Sequence, residues 1–173
     1  MKFYSGFSLK NEEYLFKEFI KRSDYSVSGF SYGAIKAFNQ VKEELARGNR
    51  VDTLQLFSPA FFQTKSDKFI RLQMLAHSKN RAEYMKQFVD ACFSPYNKKI
   101  VEFNKSTKDE LEELLNYNWN IDELNSLAQK GVEIEVYLGS EDKIIDVEGA
   151  REFFLNVATV TYMKSANHFL QTT

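Results

Sequence analysis

Hydrophobic and polar positions alternate most clearly from Val132 to Leu138, where apolar residues and Glu133 and Glu135 take turns. That period of two predicts a strand with one face against a core. Similar short runs end at Gly6, Gly29 and Ser58-Pro59 and start again at Thr159, predicting strands over Lys2–Ser5, Tyr25–Gly29, Val51–Phe57 and Thr159–Met163. Between them the period lengthens to that of a helix. Tyr14, Leu15, Phe19 and Ile20 mark a helix over Asn11–Lys21 with Asn11 as its cap. Ala34 opens a second helix that closes at Gly48-Asn49. Residues 60–118 change character: helical spacing over 68–77 and 81–93 and from Leu111 onward, a capping-box offset at Asn80 and Glu83, a capping box at Thr107 and Glu110, and no convincing strand. A helix over Ile121–Lys130, capped by Asn120, leads back to the sheet, and Asp146 caps another through Leu155. Five strands alternating with helices predict an α/β fold: a single domain over 1–173, with a parallel sheet and a helical lid, 60–118, inserted between strands three and four.

Ligands of a parallel sheet collect beyond the carboxyl ends of its strands. The residues following each predicted strand are therefore the informative ones. Gly6, Phe7 and Ser8 follow the first. Ser31 follows the second, inside Gly29-Phe-Ser-Tyr-Gly33, a G-x-S-x-G between a strand and a helix. That context predicts a nucleophile elbow, a strained turn lifting the hydroxyl above the strand end. Ser58 follows the third strand, Glu141 and Asp142 the fourth, and Asn167-His168 the fifth. A nucleophile, an acid and an imidazole thus fall on one edge in the order Ser31, Asp142, His168.

The chemistry explains the residue types. A serine hydroxyl needs a base within reach, imidazole titrates near neutrality, and a carboxylate orients the imidazole and stabilises its cation. A tetrahedral oxyanion needs backbone donors, and the N–H groups of Tyr32 and Phe7 are the expected pair. Glu141 and Asp146 compete with Asp142 for the acid; Asp146 reads better as a helix cap and Glu141 as solvated. His77 lies inside a predicted insert helix and reads as packing. Phe61, Phe62, Phe69, Met74 and Phe88 are the expected apolar channel of the insert, with core packing as the alternative.

Composition narrows the class. The chain has 173 residues, 43% hydrophobic and 27% charged, with a formal net charge of −1, which demands neither nucleic acid nor an anionic membrane. Phe and Tyr number 16 and 9, fitting an apolar pocket as well as a core. The lone cysteine, Cys92, rules out an internal disulfide, and two separated histidines lack metal-ligand spacing, so no metal or cofactor is expected. The start of the chain has no apolar run long enough for a secretory signal or a membrane span, so a cytoplasmic protein is the expectation.

The elbow Gly29–Ala34, the turn Gly139-Ser-Glu-Asp142-Lys-Ile and the closing Asn167-His168 resemble the α/β-hydrolase triad set. More narrowly, Phe3-Tyr-Ser-Gly-Phe7, Ser28–Ala37, Leu56-Phe-Ser-Pro59, Lys130–Gly139 and Asn167–Gln171 resemble the compact pimeloyl-[acyl-carrier protein] methyl ester esterases of bacterial biotin synthesis. The similarity spans nearly the whole chain and is vague in the insert. It implies Ser31 as nucleophile, Asp142 as acid, His168 as base, and Phe7 and Tyr32 as oxyanion donors. It implies a methyl ester at the far end of a pimeloyl chain on an acyl carrier protein. A thioesterase acting at the carrier linkage and a non-catalytic binding protein are the rival readings. Lys65, Lys68, Arg71, Lys79, Arg81 and Lys86 make the insert basic, as an acidic carrier would require, although a solvated helix surface gives the same pattern. Two departures stand out. Ser5-Gly6 replaces the usual His-Gly of the oxyanion loop, and two early strands and a strand–helix unit are absent. An apolar sheet face left without helix cover would invite a partner, a homodimer among them.

Overall fold

The computed structural model describes residues 1–173. Its main sheet has five parallel strands in the order β1 (Lys2–Tyr4), β3 (Ser26–Phe30), β4 (Thr53–Phe57), β6 (Glu133–Gly139) and β7 (Thr159–Met163). The strands predicted from the sequence lie within a residue or two of these bounds. Helices α1 (Tyr32–Ala46), α5 (Ile121–Gln129) and α6 (Val147–Phe154) return the chain between parallel strands. The sheet ladder runs one bond past the strand ends: Ser31 N–H donates to Phe57 O (2.9 Å), Ser58 N–H to Tyr137 O (2.9 Å) and Ser140 N–H to Met163 O (3.0 Å). The residues that follow the strands are thereby lined up along one edge.

The two faces of the sheet differ. Val27, Leu54, Leu56, Ile134, Val136 and Leu138 face a core shared with Ile35, Phe38 and Val41 of α1. On the opposite face the register sets Ser28, Gln55 and Glu135 side by side in one row, and Phe30, Phe57 and Tyr137 in the next. The aromatic row is covered by Phe16, whose ring lies 4.9 Å from both Phe30 and Phe57, and by Phe169, 4.9 Å from Phe30. The polar row is internally satisfied. Ser28 Oγ donates to Gln55 Oε1 (3.2 Å), Gln55 Nε2 donates to Glu135 Oε2 (2.8 Å) and Phe19 O (2.9 Å), and Lys21 pairs with Glu133 (3.0 Å) and Glu135. The expected uncovered apolar face is therefore not present. Half of that face is polar, and the segment 16–21 roofs it.

This roof also explains a correction. The helix expected over Asn11–Lys21 is only a 3-10 turn, Glu12–Phe16, and Asn11 makes no cap, sitting at φ 63°. Gln55 takes Phe19 O and Lys21 N–H (2.8 Å), backbone groups that a continuing helix would need for itself.

The insert holds α2 (Asp67–Lys79), α3 (Arg81–Phe93) and α4 (Lys108–Asn116). The expected caps form: Asn80 accepts from Glu83 N–H, Thr107 and Glu110 make a reciprocal capping box, Asn120 caps α5 and Asp146 caps α6. One strand pair was not expected. β5 (Glu102–Phe103), inside the insert, pairs antiparallel with β2 (Leu9–Lys10). Two residues per strand are too few for alternation to show. No helix is long and apolar enough to cross a membrane.

Candidate active site

The turn between β3 and α1 is strained where the sequence predicts it. Ser31 has φ 52° and ψ −115°, outside the region favoured by a side-chain-bearing residue. The residues two positions before and after it must be glycine. A Cβ on Gly29 would collide with the Gly33 carbonyl, and one on Gly33 with the Tyr4 carbonyl. Helix α1 therefore packs directly on strand backbone. Ser31 C=O accepts from Ala34 N–H (3.0 Å) and Ala60 N–H (3.1 Å), which locks the turn from both sides.

Asp142 follows β6 and turns both carboxylate oxygens to use. Oδ1 accepts from the N–H groups of Ile144 (2.7 Å) and Ile145 (3.2 Å), while Oδ2 meets His168 Nδ1 at 2.6 Å. Both side chains of this pair are fully buried. A carboxylate only accepts, so Nδ1 carries the proton and Nε2 presents its lone pair. Nε2 is buried and has no hydrogen-bond partner in the protein, Ser31 Oγ included. The His168 ring lies 5.0 Å from the ring of Phe30, the residue directly before Ser31. The acid and imidazole are thus joined beside the elbow, and the hydroxyl–imidazole bond is open.

Asn167 shapes the loop that carries the imidazole. Its Oδ1 accepts from the N–H groups of Phe169 and Gln171 (3.0 Å each), and its Nδ2 donates to Phe93 O and Gln171 Oε1 (2.8 Å each). The rival acids are engaged elsewhere. Glu141 pairs at 3.7 Å with Lys143, and Asp146 caps α6 and accepts from Thr64 Oγ1 at 2.5 Å. The Thr64 hydrogen bond is the main cause that holds the Asp146 carboxyl below its usual range. His77 packs in α2 with its ring 6.2 Å from Phe7 and 5.4 Å from Tyr84. Burial first, then Arg81 and Lys108, lowers its pKa.

A cavity of about 250 Å³ opens at Ser31. The insert supplies much of its wall. Phe62, Phe69 and Phe88 line it as expected, with Phe7 of the first loop and Ile144 beside the acid. Two of the expected channel residues, Phe61 and Met74, do not line it, and neither does Arg71 of the basic stretch. Phe61 lies under the core, its ring 5.6 Å from Phe153 and 6.1 Å from Phe154. Met74 packs against that core, and Arg71 is exposed to solvent. The reason is helical phase: Phe69 and Gln73, one turn apart, face the cavity, which turns Arg71 outward. Sequence reading missed Leu111, Leu114 and Leu115 of α4, which close one wall, and Tyr84, whose hydroxyl donates to Gln73 Oε1 at 3.0 Å. The leucine spacing after the capping box was the available signal. Lys65 and Lys143 are the charged residues on the wall, and no acid lines it. No group of three His, Cys, Asp or Glu side chains is placed to hold a metal ion.

Among solved structures the chain is similar to a carboxylesterase, CesB, from Bacillus subtilis, at 15% identity and a TM-score of 0.57, covering 85% of this chain and 54% of that one. It is also similar to an esterase from Exiguobacterium antarcticum, at 15% identity and a TM-score of 0.58, covering 82% and 58%. A bromoperoxidase from Bacillus anthracis aligns at 10% identity and a TM-score of 0.60, covering 83% and 60%. The chain has the α/β-hydrolase fold. It spans a little over half the length of these proteins. No protein-family model matches it, and no curated protein sequence does.

Proposed function

We propose that this protein is a serine carboxylesterase in which Ser31 attacks, His168 moves the proton and Asp142 orients the imidazole. The observation that carries this reading is the buried 2.6 Å contact of Asp142 with Nδ1, which leaves Nε2 unpartnered next to a strained serine turn. A buried ring nitrogen without a partner is costly unless something else uses it. In the reaction Nε2 takes the Ser31 Oγ proton as Oγ bonds to the ester carbonyl carbon. The N–H groups of Phe7 and Tyr32 hold the resulting oxyanion. Collapse of the intermediate expels the alcohol, which takes the proton from Nε2. Water, deprotonated by the same nitrogen, then releases the acid and frees Ser31.

We take the substrate to be the methyl ester of pimeloyl-[acyl-carrier protein], hydrolysed to pimeloyl-[acyl-carrier protein] and methanol in biotin synthesis. Its support is the resemblance of the elbow, turn and terminal blocks, together with an aromatic cavity able to take an unbranched chain. The acyl carrier protein is then the partner, met by the basic insert. Two assays test the reading. Wild-type protein hydrolyses p-nitrophenyl butyrate and Ser31→Ala does not; equal rates would exclude Ser31. Mass analysis of methyl-pimeloyl carrier protein after reaction shows loss of one CH2 unit for the ester reading, and loss of the whole acyl group for a thioesterase.

A further inference from the structure

Beneath the loop joining β1 to β2 lies a carboxyl group that the hydrolytic scheme does not use. Glu12 is fully buried. Its Oε1 accepts from Gly6 N–H at 2.7 Å, and its Oε2 is buried without a partner. The next peptide unit is held as well, because Gly6 C=O accepts from Leu9 N–H at 3.1 Å. A trans peptide is planar, so fixing that carbonyl toward Leu9 directs the Phe7 N–H to the opposite side. Phe7 N–H donates to no backbone carbonyl. The loop is also pressed against the elbow: a Cβ on Gly6 would meet the Phe30 ring at 2.8 Å, and Phe30 immediately precedes Ser31. Glu12 and Leu9 therefore fix both ends of Gly6, and Gly6 fixes where the Phe7 amide stands relative to the nucleophile.

We propose that Glu12 is a positioning residue that sets the oxyanion-binding amide of Phe7 through its hydrogen bond to Gly6 N–H. The proposal rests on the esterase reading above. Glu12 holds the loop from the 3-10 turn, across the peptide that precedes Gly6. Burial is the largest influence on this carboxyl and pushes it above the usual range, against hydrogen bonding from Gly6, from its own backbone and from the Ser5 side chain; the acid Glu13 adds to the rise.

The test compares wild type with Glu12→Gln, Glu12→Asp, Glu12→Leu and Ser31→Ala on p-nitrophenyl butyrate. Rates are divided by the number of sites that a fluorophosphonate titrates to completion, so misfolded protein drops out. Gln keeps an acceptor oxygen at full length and retains most of the wild-type kcat. Asp is too short to reach, and Leu has no acceptor. Both lower kcat about tenfold or more with KM little changed, because a displaced donor acts on the transition state. Wild-type kcat in both the Asp and Leu variants overturns the proposal, as does a Gln variant that falls as far as Leu, or a change confined to KM. If Leu yields no titratable sites, the Gln and Asp pair decides alone. Activity in Ser31→Ala equal to wild type would instead remove the esterase reading itself.

Discussion

Asp142→Asn is the perturbation whose outcome the geometry fixes most tightly. Asp142 Oδ1 is committed to the N–H groups of Ile144 and Ile145, at 2.7 and 3.2 Å, and those donors hold the side chain by its oxygen. The substituted amide must therefore keep its oxygen there and turn its NH2 toward His168 Nδ1. An NH2 group donates, so Nδ1 becomes the acceptor and the ring proton moves to Nε2. The nitrogen assigned to take the Ser31 proton would then carry a hydrogen itself and have no lone pair to accept with. The same inversion in serine proteases lowers kcat by about four orders of magnitude. At roughly 1.36 kcal/mol per decade, that is about 5.4 kcal/mol of lost transition-state stabilisation. The packing around the pair stays intact, so thermal unfolding should change little. The assay is hydrolysis of p-nitrophenyl butyrate at pH 7, with the unfolding midpoint measured on the same preparations. A variant that unfolds like wild type yet keeps kcat within about tenfold would refute the assigned tautomer.

Other expectations follow from groups around the site and beneath the sheet. Gln55→Ala removes partners from Ser28 Oγ, Phe19 O, Lys21 N–H and Glu135 in one row, at a cost of about 2–4 kcal/mol, read as a fall in Tm of ~4–16 °C. Burial raises the Glu135 carboxyl, but hydrogen bonds from Lys21, Gln55 and Tyr137 outweigh it and hold the group below its ordinary value of 4.5. A lowered folded-state pKa gives stability that is present above the unfolded value and lost as the pH falls through the folded one. Denaturant titrations should therefore show stability declining below pH 4.5, with a shallower decline in Glu135→Gln. Ser58 shares the strand edge with Ser31 and has φ 41° and a buried hydroxyl without a partner. Ser58→Ala leaves esterase kcat near wild type; a loss of more than about tenfold would make Ser58 part of the chemistry.

The parallel sheet was readable because each strand announces itself by a local pattern and a stop. Val132–Leu138 alternates and ends at Gly139, and β6 is Glu133–Gly139. The caps at Asn80, Thr107, Asn120 and Asp146 were readable for the same reason, since a cap is decided within four residues. The segment 11–21 was not, because a distant side chain, Gln55, takes the backbone groups that would have made it a helix. The polar half of the second sheet face was hidden in the same way: Ser28, Gln55 and Glu135 are far apart in sequence and meet only through register. At the candidate site, chain order was enough to place Ser31, Asp142 and His168 on one edge. The wall of the cavity depends on helical phase and on which helices face inward, so Phe62, Phe69 and Phe88 line it while Phe61, Arg71 and Met74 do not. Glu12 carried no signal, since an acid in a first helical turn ordinarily points to solvent.

The most direct measurement is the site and rate of fluorophosphonate labelling, followed by peptide mass mapping. The account predicts a single adduct on Ser31 in the wild-type protein, none in Ser31→Ala, and labelling slowed by at least about a hundredfold in His168→Ala. An adduct on another residue, or a labelling rate indifferent to the loss of His168, would contradict it.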